Sequence, residues 1–308
     1  MRRGFIKKMN ELSFSVSDDY ELIKKALWNK NGFGCEDCFL SLYVWKNNYK
    51  TKVFNSADGI VFYISKRDSY LFPLPIESAV STIKNLVNDR KQITLMRITD
   101  DQKQILEKAY TGCLEAKEDE GAFDYIYTIK SLAELSGSKL SKKRNHINVF
   151  LKTYTDWTIE EITIENVSEV LAFAEKWYEK KTGGDSEIGA ESLEQEKIAL
   201  FNIMPKLKQF GADGILLRVN GKIEAFTVGQ RISETVYDVV FEKGNDEVHG
   251  SYNMINREFA RYLQKKYPGL EYINRENDLN LPGLRKAKLS YMPAFLLKKY
   301  ICVIKASN

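Results

Sequence analysis

The 308-residue sequence contains only two histidines, His146 and His249, 103 positions apart. A histidine-rich metal centre is excluded on that count, and a histidine-centred triad is disfavoured. The four cysteines, Cys35, Cys38, Cys113 and Cys302, are too few and too scattered for a disulfide framework. Cys35-Glu-Asp-Cys38 has metal or redox spacing but no second pair, so no metal site is expected. No Pro/Gly/Ser-rich linker divides the chain. No apolar run approaches the ~20 residues of a membrane span. The basic stretch Met1–Lys8 lacks the apolar core of a signal peptide. These absences predict a soluble, cytoplasmic chain without a transmembrane segment.

What is present is an ordinary globular composition, 44% hydrophobic and 29% charged. The 46 basic and 42 acidic residues leave +4, too little to predict DNA binding. The distribution is less even. Residues 1–10, 139–152 and 285–308 hold 15 of the 46 basic residues and no acid. The balance is an acidic body with basic clusters, which predicts an anionic ligand.

At ~150 residues per domain the length predicts about two domains. In the second half, Trp157–Ile164 alternates as a strand, and Asn166–Lys181 and Glu191–Gln209 read as helices. Ile215–Val219 and Lys222–Arg231 are strands joined by Asn220-Gly221, a strong hairpin signal. Thr235–Phe241 follows as a strand, then helix Ser251–Lys266, strand Glu271–Asn274 and final strand Phe295–Lys305. The first half repeats much of this order, with strand Leu12–Val16, helix Asp18–Trp28, a three-strand meander, helix Glu77–Asp89 and strand Ile93–Arg97. The expected fold is α/β, with two lobes over 1–137 and 157–308. A helix within 138–156 would bridge them. Each lobe would be a mixed, mainly antiparallel sheet flanked by helices.

The order of the second half resembles the GNAT acyltransferase superfamily. That resemblance implies an acyl donor whose pyrophosphate sits where the third meander strand turns into a helix. Gly244 and Gly250 permit a tight turn there, and the backbone of Gly250 and Ser251 would hold the donor. Glu247 stands where the superfamily has a basic or amide residue, which disfavours ordinary acetyl-CoA. The first half offers only Pro73-Leu-Pro-Ile-Glu77, poor in N–H donors.

The densest polar segment runs from Asn274 to Pro293. Arg275, Arg285 and Lys286 are candidates to hold a phosphate or carboxylate. Glu276 or Asp278 would be the base and Tyr291 the acid. A solvated loop beside a basic helix face is the alternative. Lys139, Lys142, Lys143 and Arg144 form a second basic run, either a solvated helix face or a contact to phosphates.

Four pieces carry a closer resemblance. They are Cys35-Glu36 with Phe39, Leu42, Tyr43 and Trp45; Lys142–Asn148 with Phe150; Gly250–Phe259; and Tyr272–Leu279 with Gly283–Tyr291 and Pro293. Together they resemble the bacterial family grouped with the C-terminal domain of phosphatidylglycerol lysyltransferase. The resemblance implies two tandem GNAT-like lobes, as in Fem-type peptidyltransferases. It also implies transfer of an aminoacyl group from aminoacyl-tRNA, or an acyl group from acyl-CoA, to an amine or hydroxyl. No tightly bound cofactor is implied. The expected partner is a tRNA or an anionic small molecule rather than a bilayer, because the family's multi-span membrane domain is not in these residues. Met292 stands where the family often has His, so it receives no role. The alternative function is a non-catalytic module that binds a nucleotide, RNA or peptide.

Overall fold

The structure is a computed structural model, and it describes residues 9–13, 18–183 and 189–306. The expected strand Leu12–Val16 lies outside these residues beyond Ser13, as do the basic groups before Met9. No described helix is long and apolar enough to cross a membrane. The fold is mixed α/β, with two sheets flanked by helices.

In chain order, the first half gives β1 (Asn10–Leu12), α1 (Asp18–Lys30), α2 (Phe39–Tyr49), β2 (Thr51–Ser56), β3 (Gly59–Ile64), β4 (Ser69–Tyr70), α3 (Ile76–Arg90), β5 (Gln92–Ile98), α4 (Asp100–Ala109) and β6 (Leu114–Glu118). Next come β7 (Asp124–Thr128), α5 (Ile129–Glu134), α6 (Ser141–Thr153), β8 (Trp157–Glu161), α7 (Val167–Thr182), α8 (Ala190–Ile203), β9 (Ala212–Val219), β10 (Lys222–Arg231) and β11 (Val236–Gly244). The last elements are α9 (Ser251–Lys266), β12 (Tyr272–Asn274), α10 (Pro282–Leu289), β13 (Phe295–Leu297) and β14 (Tyr300–Lys305).

Local chemistry explains most boundaries. Asn220 and Gly221 both take positive φ (49° and 74°), the twist a tight hairpin needs. The expected helix Glu191–Gln209 breaks at Met204-Pro205 and continues to Phe210 as 3₁₀ turns, because Pro205 has no N–H to donate. Strand β6 is not legible in the sequence: four of its five residues are exposed, and none is β-branched or aromatic.

One sheet has the order β1-β2-β3-β4-β5-β14-β6, and the other β13-β7-β12-β11-β10-β9-β8. Each holds an antiparallel three-strand meander, then a helix, then a strand parallel to the third. β4 is parallel to β5 across α3, and β11 is parallel to β12 across α9. In the second unit α5, α6 and α9 share a core that includes Phe150, Tyr237, Met254 and Phe259. In the first, Val61, Ile83, Leu95 and Ile304 belong to one buried core.

The domain limits differ from those expected. The described residues through Asp124, with those from Leu297 on, form one compact unit, and Tyr125–Leu296 forms the other. Residues 125–137 therefore belong with the second unit, and so does the helix expected to bridge. The expected single strand Phe295–Lys305 is two. β14 leaves the second sheet and pairs antiparallel with β5 and β6, while β7 pairs antiparallel with β12. An antiparallel partner needs only a matching edge, not a nearby sequence position, so local pattern does not reveal which sheet a strand joins.

Candidate functional site

In the second unit β11 pairs with β12 only over Val236–Asp238, yet β11 continues to Gly244. Beside β10, Val240 is the extra residue of a bulge, since Phe241 faces Val228 and Val239 faces Gly229. The bulge re-aims the following side chains. Ligands of open α/β sheets bind where parallel strands part at their carboxyl ends. Several polar side chains gather there.

Arg275, the first residue after β12, donates from Nη2 to Glu242 Oε1 at 2.8 Å. Its guanidinium lies 4.9 Å from the Tyr291 ring centroid and 5.7 Å from that of Tyr127. Its Nη1 is buried and has no hydrogen-bond partner among the described residues. Burial opposes the Arg275 charge, but Glu242 and the phenols of Tyr127 and Tyr291 outweigh it and raise the pKa.

Tyr291 is 5% exposed, and burial pushes its phenol up to about 12. Asn253 Nδ2 donates to the Tyr291 hydroxyl oxygen at 2.7 Å. The phenolic hydrogen is left for another acceptor. Asn256, one turn further along α9, donates to Glu242 Oε2 at 3.3 Å, and its buried Oδ1 has no partner among the described residues. Lys143 of α6 lies 4.1 Å over the Tyr291 ring. Burial, then the Arg275 charge, lowers its pKa.

Of the residues expected at the site, only Arg275 and Tyr291 are brought together in this cluster. Asp278 is buried and accepts from Tyr125 Oη (2.6 Å), Arg285 Nε (2.7 Å) and Asn280 N (2.8 Å). Burial raises its pKa, but the Arg285 and Tyr125 hydrogen bonds win and hold it below the usual carboxylate value. An acid so held anchors its loop and is a poor proton acceptor. Arg285 is correspondingly committed to Asp278 and Asn280. Glu276 takes a positive φ of 52°, and its N–H is bound by Asn274 Oδ1 at 2.6 Å. Lys286 and Lys142 are exposed on α10 and α6. Arg144 donates to the carbonyls of Leu135 and Gly137, closing the turn after α5.

Ser251 is buried, and its hydroxyl donates to Asn245 O at 2.8 Å. Gly250 has φ 84°, and a Cβ there would stand 2.8 Å from His146 O and 3.1 Å from Phe150 Cβ. This glycine is what lets the start of α9 meet α6, whatever else the turn binds. Gly250→Ala should cost about 2 kcal/mol or more, from left-handed backbone plus overlap with a fixed carbonyl. Denaturant titration checks this, and a change below about 0.5 kcal/mol would refute the close-packing account. Glu247 is exposed and paired with Lys180 Nζ at 2.6 Å.

The two histidines, remote in sequence, meet here with His146 Nδ1 and His249 Nε2 3.0 Å apart. Burial, then His249 and Lys143, lowers the His146 pKa. In the first unit, Cys35, Glu36 and Asp124 bring ligand-type atoms within 4.8 Å of one another. The Lys299 ammonium already lies among them, 2.8 Å from Asp124 Oδ2 and 2.5 Å from Glu36 Oε2. Cys38, the other half of the Cys-x-x-Cys spacing, accepts Ser41 N at the start of α2.

Glu242, Asn253 and Asn256 carry no individual signal in the sequence, whereas Lys143 belongs to the second basic run. A signal existed for the asparagines: both lie in the Gly250–Phe259 motif, three apart, hence on one helix face. Nothing local joins them to Glu242.

Comparisons with known proteins bear on the family and the fold. The family model for "Phosphatidylglycerol lysyltransferase, C-terminal" matches residues 30–303. A conserved protein of unknown function from Bacteroides thetaiotaomicron is 31% identical, with TM-score 0.86, covering 96% of this chain and 99% of that one. L-PGS from Bacillus licheniformis (14% identical, TM-score 0.62, 91% of this chain, 90% of that one) and FemX (10%, 0.55, 95% and 97%) share the fold. An uncharacterized protein of Mycoplasmoides gallisepticum is 26% identical over 184 residues, 59% of this chain. The match spans 56% of that curated relative's length.

Proposed function

We propose that this chain, which belongs to the phosphatidylglycerol lysyltransferase C-terminal family, is an aminoacyltransferase that works at the Arg275–Tyr291 cluster. The family and an aminoacyltransferase-like GNAT fold support the reaction class. The observation that carries the site is the buried Arg275 Nη1, uncommitted beside a phenol whose hydrogen is available. The donor is an aminoacyl-tRNA, with acyl-CoA as the other donor to be compared. The acceptor is an amine or hydroxyl.

In this reading the acceptor attacks the ester carbonyl and the carbon–oxygen bond to the ribose breaks. Arg275 Nη1–H faces the carbonyl oxygen as charge develops on it. Tyr291, protonated at neutral pH, gives its hydrogen to the departing ribose oxygen and regains one as the acceptor loses its own. Asn253 and Glu242 hold the two groups in place. Holding donor and acceptor together supplies much of the rate.

The test is incubation of the purified chain with aminoacyl-tRNAs carrying labelled amino acids, and with acyl-CoAs, in the presence of amine and hydroxyl acceptors. Label should move from tRNA to an acceptor, and Arg275→Lys should weaken donor use by about tenfold, because an ammonium cannot serve Glu242 and a carbonyl in the same fork. Transfer from acyl-CoA alone would replace the donor. Thermal stabilisation by uncharged tRNA without any transfer would instead make the chain a binding module.

A further inference from the structure

The turn that leads into α9 is held from two sides. On one side Asp246 and Glu247 pair with Lys181 and Lys180 of α7 at 2.7 and 2.6 Å. On the other, Gly250 lies against the His146 carbonyl of α6. His249 falls between these anchors in the turn, and its Nε2 is 3.0 Å from His146 Nδ1. The only two histidines of the chain therefore meet across two segments that the packing already holds.

A hydrogen bond between the rings needs one facing nitrogen to carry a hydrogen and the other to accept it, so at least one ring is neutral. In a neutral imidazole the hydrogen can sit on either nitrogen. Moving it to the outer nitrogen leaves two lone pairs at the meeting point, the ligand set of a chelated cation. The spacing suits that use. With metal–nitrogen bonds of ~2.0–2.1 Å, two imidazole nitrogens on one cation stand roughly 2.9 Å apart at a right angle and about 3.3 Å apart at the tetrahedral angle. The observed 3.0 Å falls between the two. The ring planes are tilted by 42°, with centroids 4.9 Å apart. Both rings are exposed, so small side-chain rotations can aim both lone pairs at one point, and water can reach the other positions of a cation.

The ligand type selects the class of metal. Imidazole suits zinc, nickel and copper, whereas magnesium and calcium take oxygen ligands. Lys143 lies one turn before His146 on α6 and opposes a further positive charge. Two protein ligands beside that charge make an exchangeable site rather than a resident centre.

We infer that His146 and His249 form a two-point clamp for a divalent transition cation, zinc or nickel by class, with water completing its shell. The cation ties α6 to the turn that starts α9. In the unfolded chain the two rings are 103 positions apart and meet it separately, so the chelated metal favours the folded state. The clamp is independent of the transfer reaction proposed for the Arg275–Tyr291 cluster.

The experiment titrates the untagged full chain with zinc chloride at neutral pH, and with nickel and magnesium chlorides for comparison. Imidazole ¹H–¹⁵N signals follow zinc, and the melting temperature follows all three metals. With two histidines in the chain, two sets of imidazole signals exist. Both should shift together, saturate at one zinc per chain and return on addition of a chelator. Zinc and nickel should raise the melting temperature, and magnesium should not. His146→Gln and His249→Gln should each weaken zinc binding at the remaining imidazole tenfold or more and remove the metal-induced rise. Both side chains are exposed, so the metal-free variants should melt close to the wild type. The wild-type titration decides the matter even where a variant fails to fold. Absence of saturable imidazole shifts, a shift of one ring alone, no rise in melting temperature with zinc, an equal effect of magnesium, or unchanged zinc affinity in either variant would overturn the inference.

Discussion

Tyr291→Phe will reduce aminoacyl transfer by about 100-fold or more, the usual range for loss of a positioned acid. The fold should tolerate the change. The ring stays, with its contacts to Arg275 and Lys143. What is lost is the hydroxyl that accepts from Asn253, so the expected destabilisation is about 1 kcal/mol. A phenol with a pKa near 12 stays protonated across the physiological range. The wild-type rate should therefore show no loss from Tyr291 ionisation below pH 10. Single-turnover rates in the presence of saturating donor would separate the step from binding. A variant that keeps more than about a third of the rate would remove Tyr291 from the acid role. A variant that loses rate only through weaker donor binding would recast it as a positioning residue.

The second large effect is on stability. Lys299→Met should destabilise the chain by about 3–5 kcal/mol, as removal of one member of a buried ion cluster does. Lys299 and Asp124 are both 0% exposed. The ammonium also meets Glu36 at 2.5 Å and Cys35 Sγ at 3.4 Å. Burial opposes the Lys299 charge, yet Asp124, Cys35 and Glu36 hold its pKa well above the ordinary value. Methionine fills similar space but takes the ammonium away from Asp124, which keeps its contacts to Cys35 N and Sγ. Without that charge the carboxyl binds a proton more readily in the folded variant than in the folded wild type. A proton bound more tightly in the folded state favours that state as pH falls. The variant should accordingly recover stability relative to wild type as pH falls. Lys299→Met with Asp124→Asn should recover part of the loss at neutral pH. Urea titrations of the three chains at two pH values decide this. A single-variant loss below about 1 kcal/mol would show the cluster to be readily hydrated.

The cluster also shows where sequence reading stops. In sequence Lys299 is one of six basic residues in the acid-free run 285–308, and Asp124 belongs to no motif. Their meeting depends on β14 entering the sheet beside β5, which pairs residues near the end of the chain with residues near position 95. Periodicity identifies a strand but carries no record of its partner. The same limit governs the candidate site. Arg275 and Tyr291 stood out because they lie in a dense polar segment. Asp278 and Arg285 stood out for the same reason, and the structure ties those two to one another. Composition cannot separate a polar residue that serves a loop from one that faces a cleft.

Most of the element order, the Asn220-Gly221 hairpin, the amphipathic α9 and the family were legible in the sequence alone, because these rest on local backbone preference and contiguous pattern; β6 and the split of the last strand were not. Only the tertiary structure decided the exchange of β7 and β14, the meeting of His146 with His249, and the assembly of Glu242, Asn253 and Arg275. The physical reason is common to all three. Each depends on which distant edges and faces bury one another, and burial is a property of the packed chain rather than of any segment.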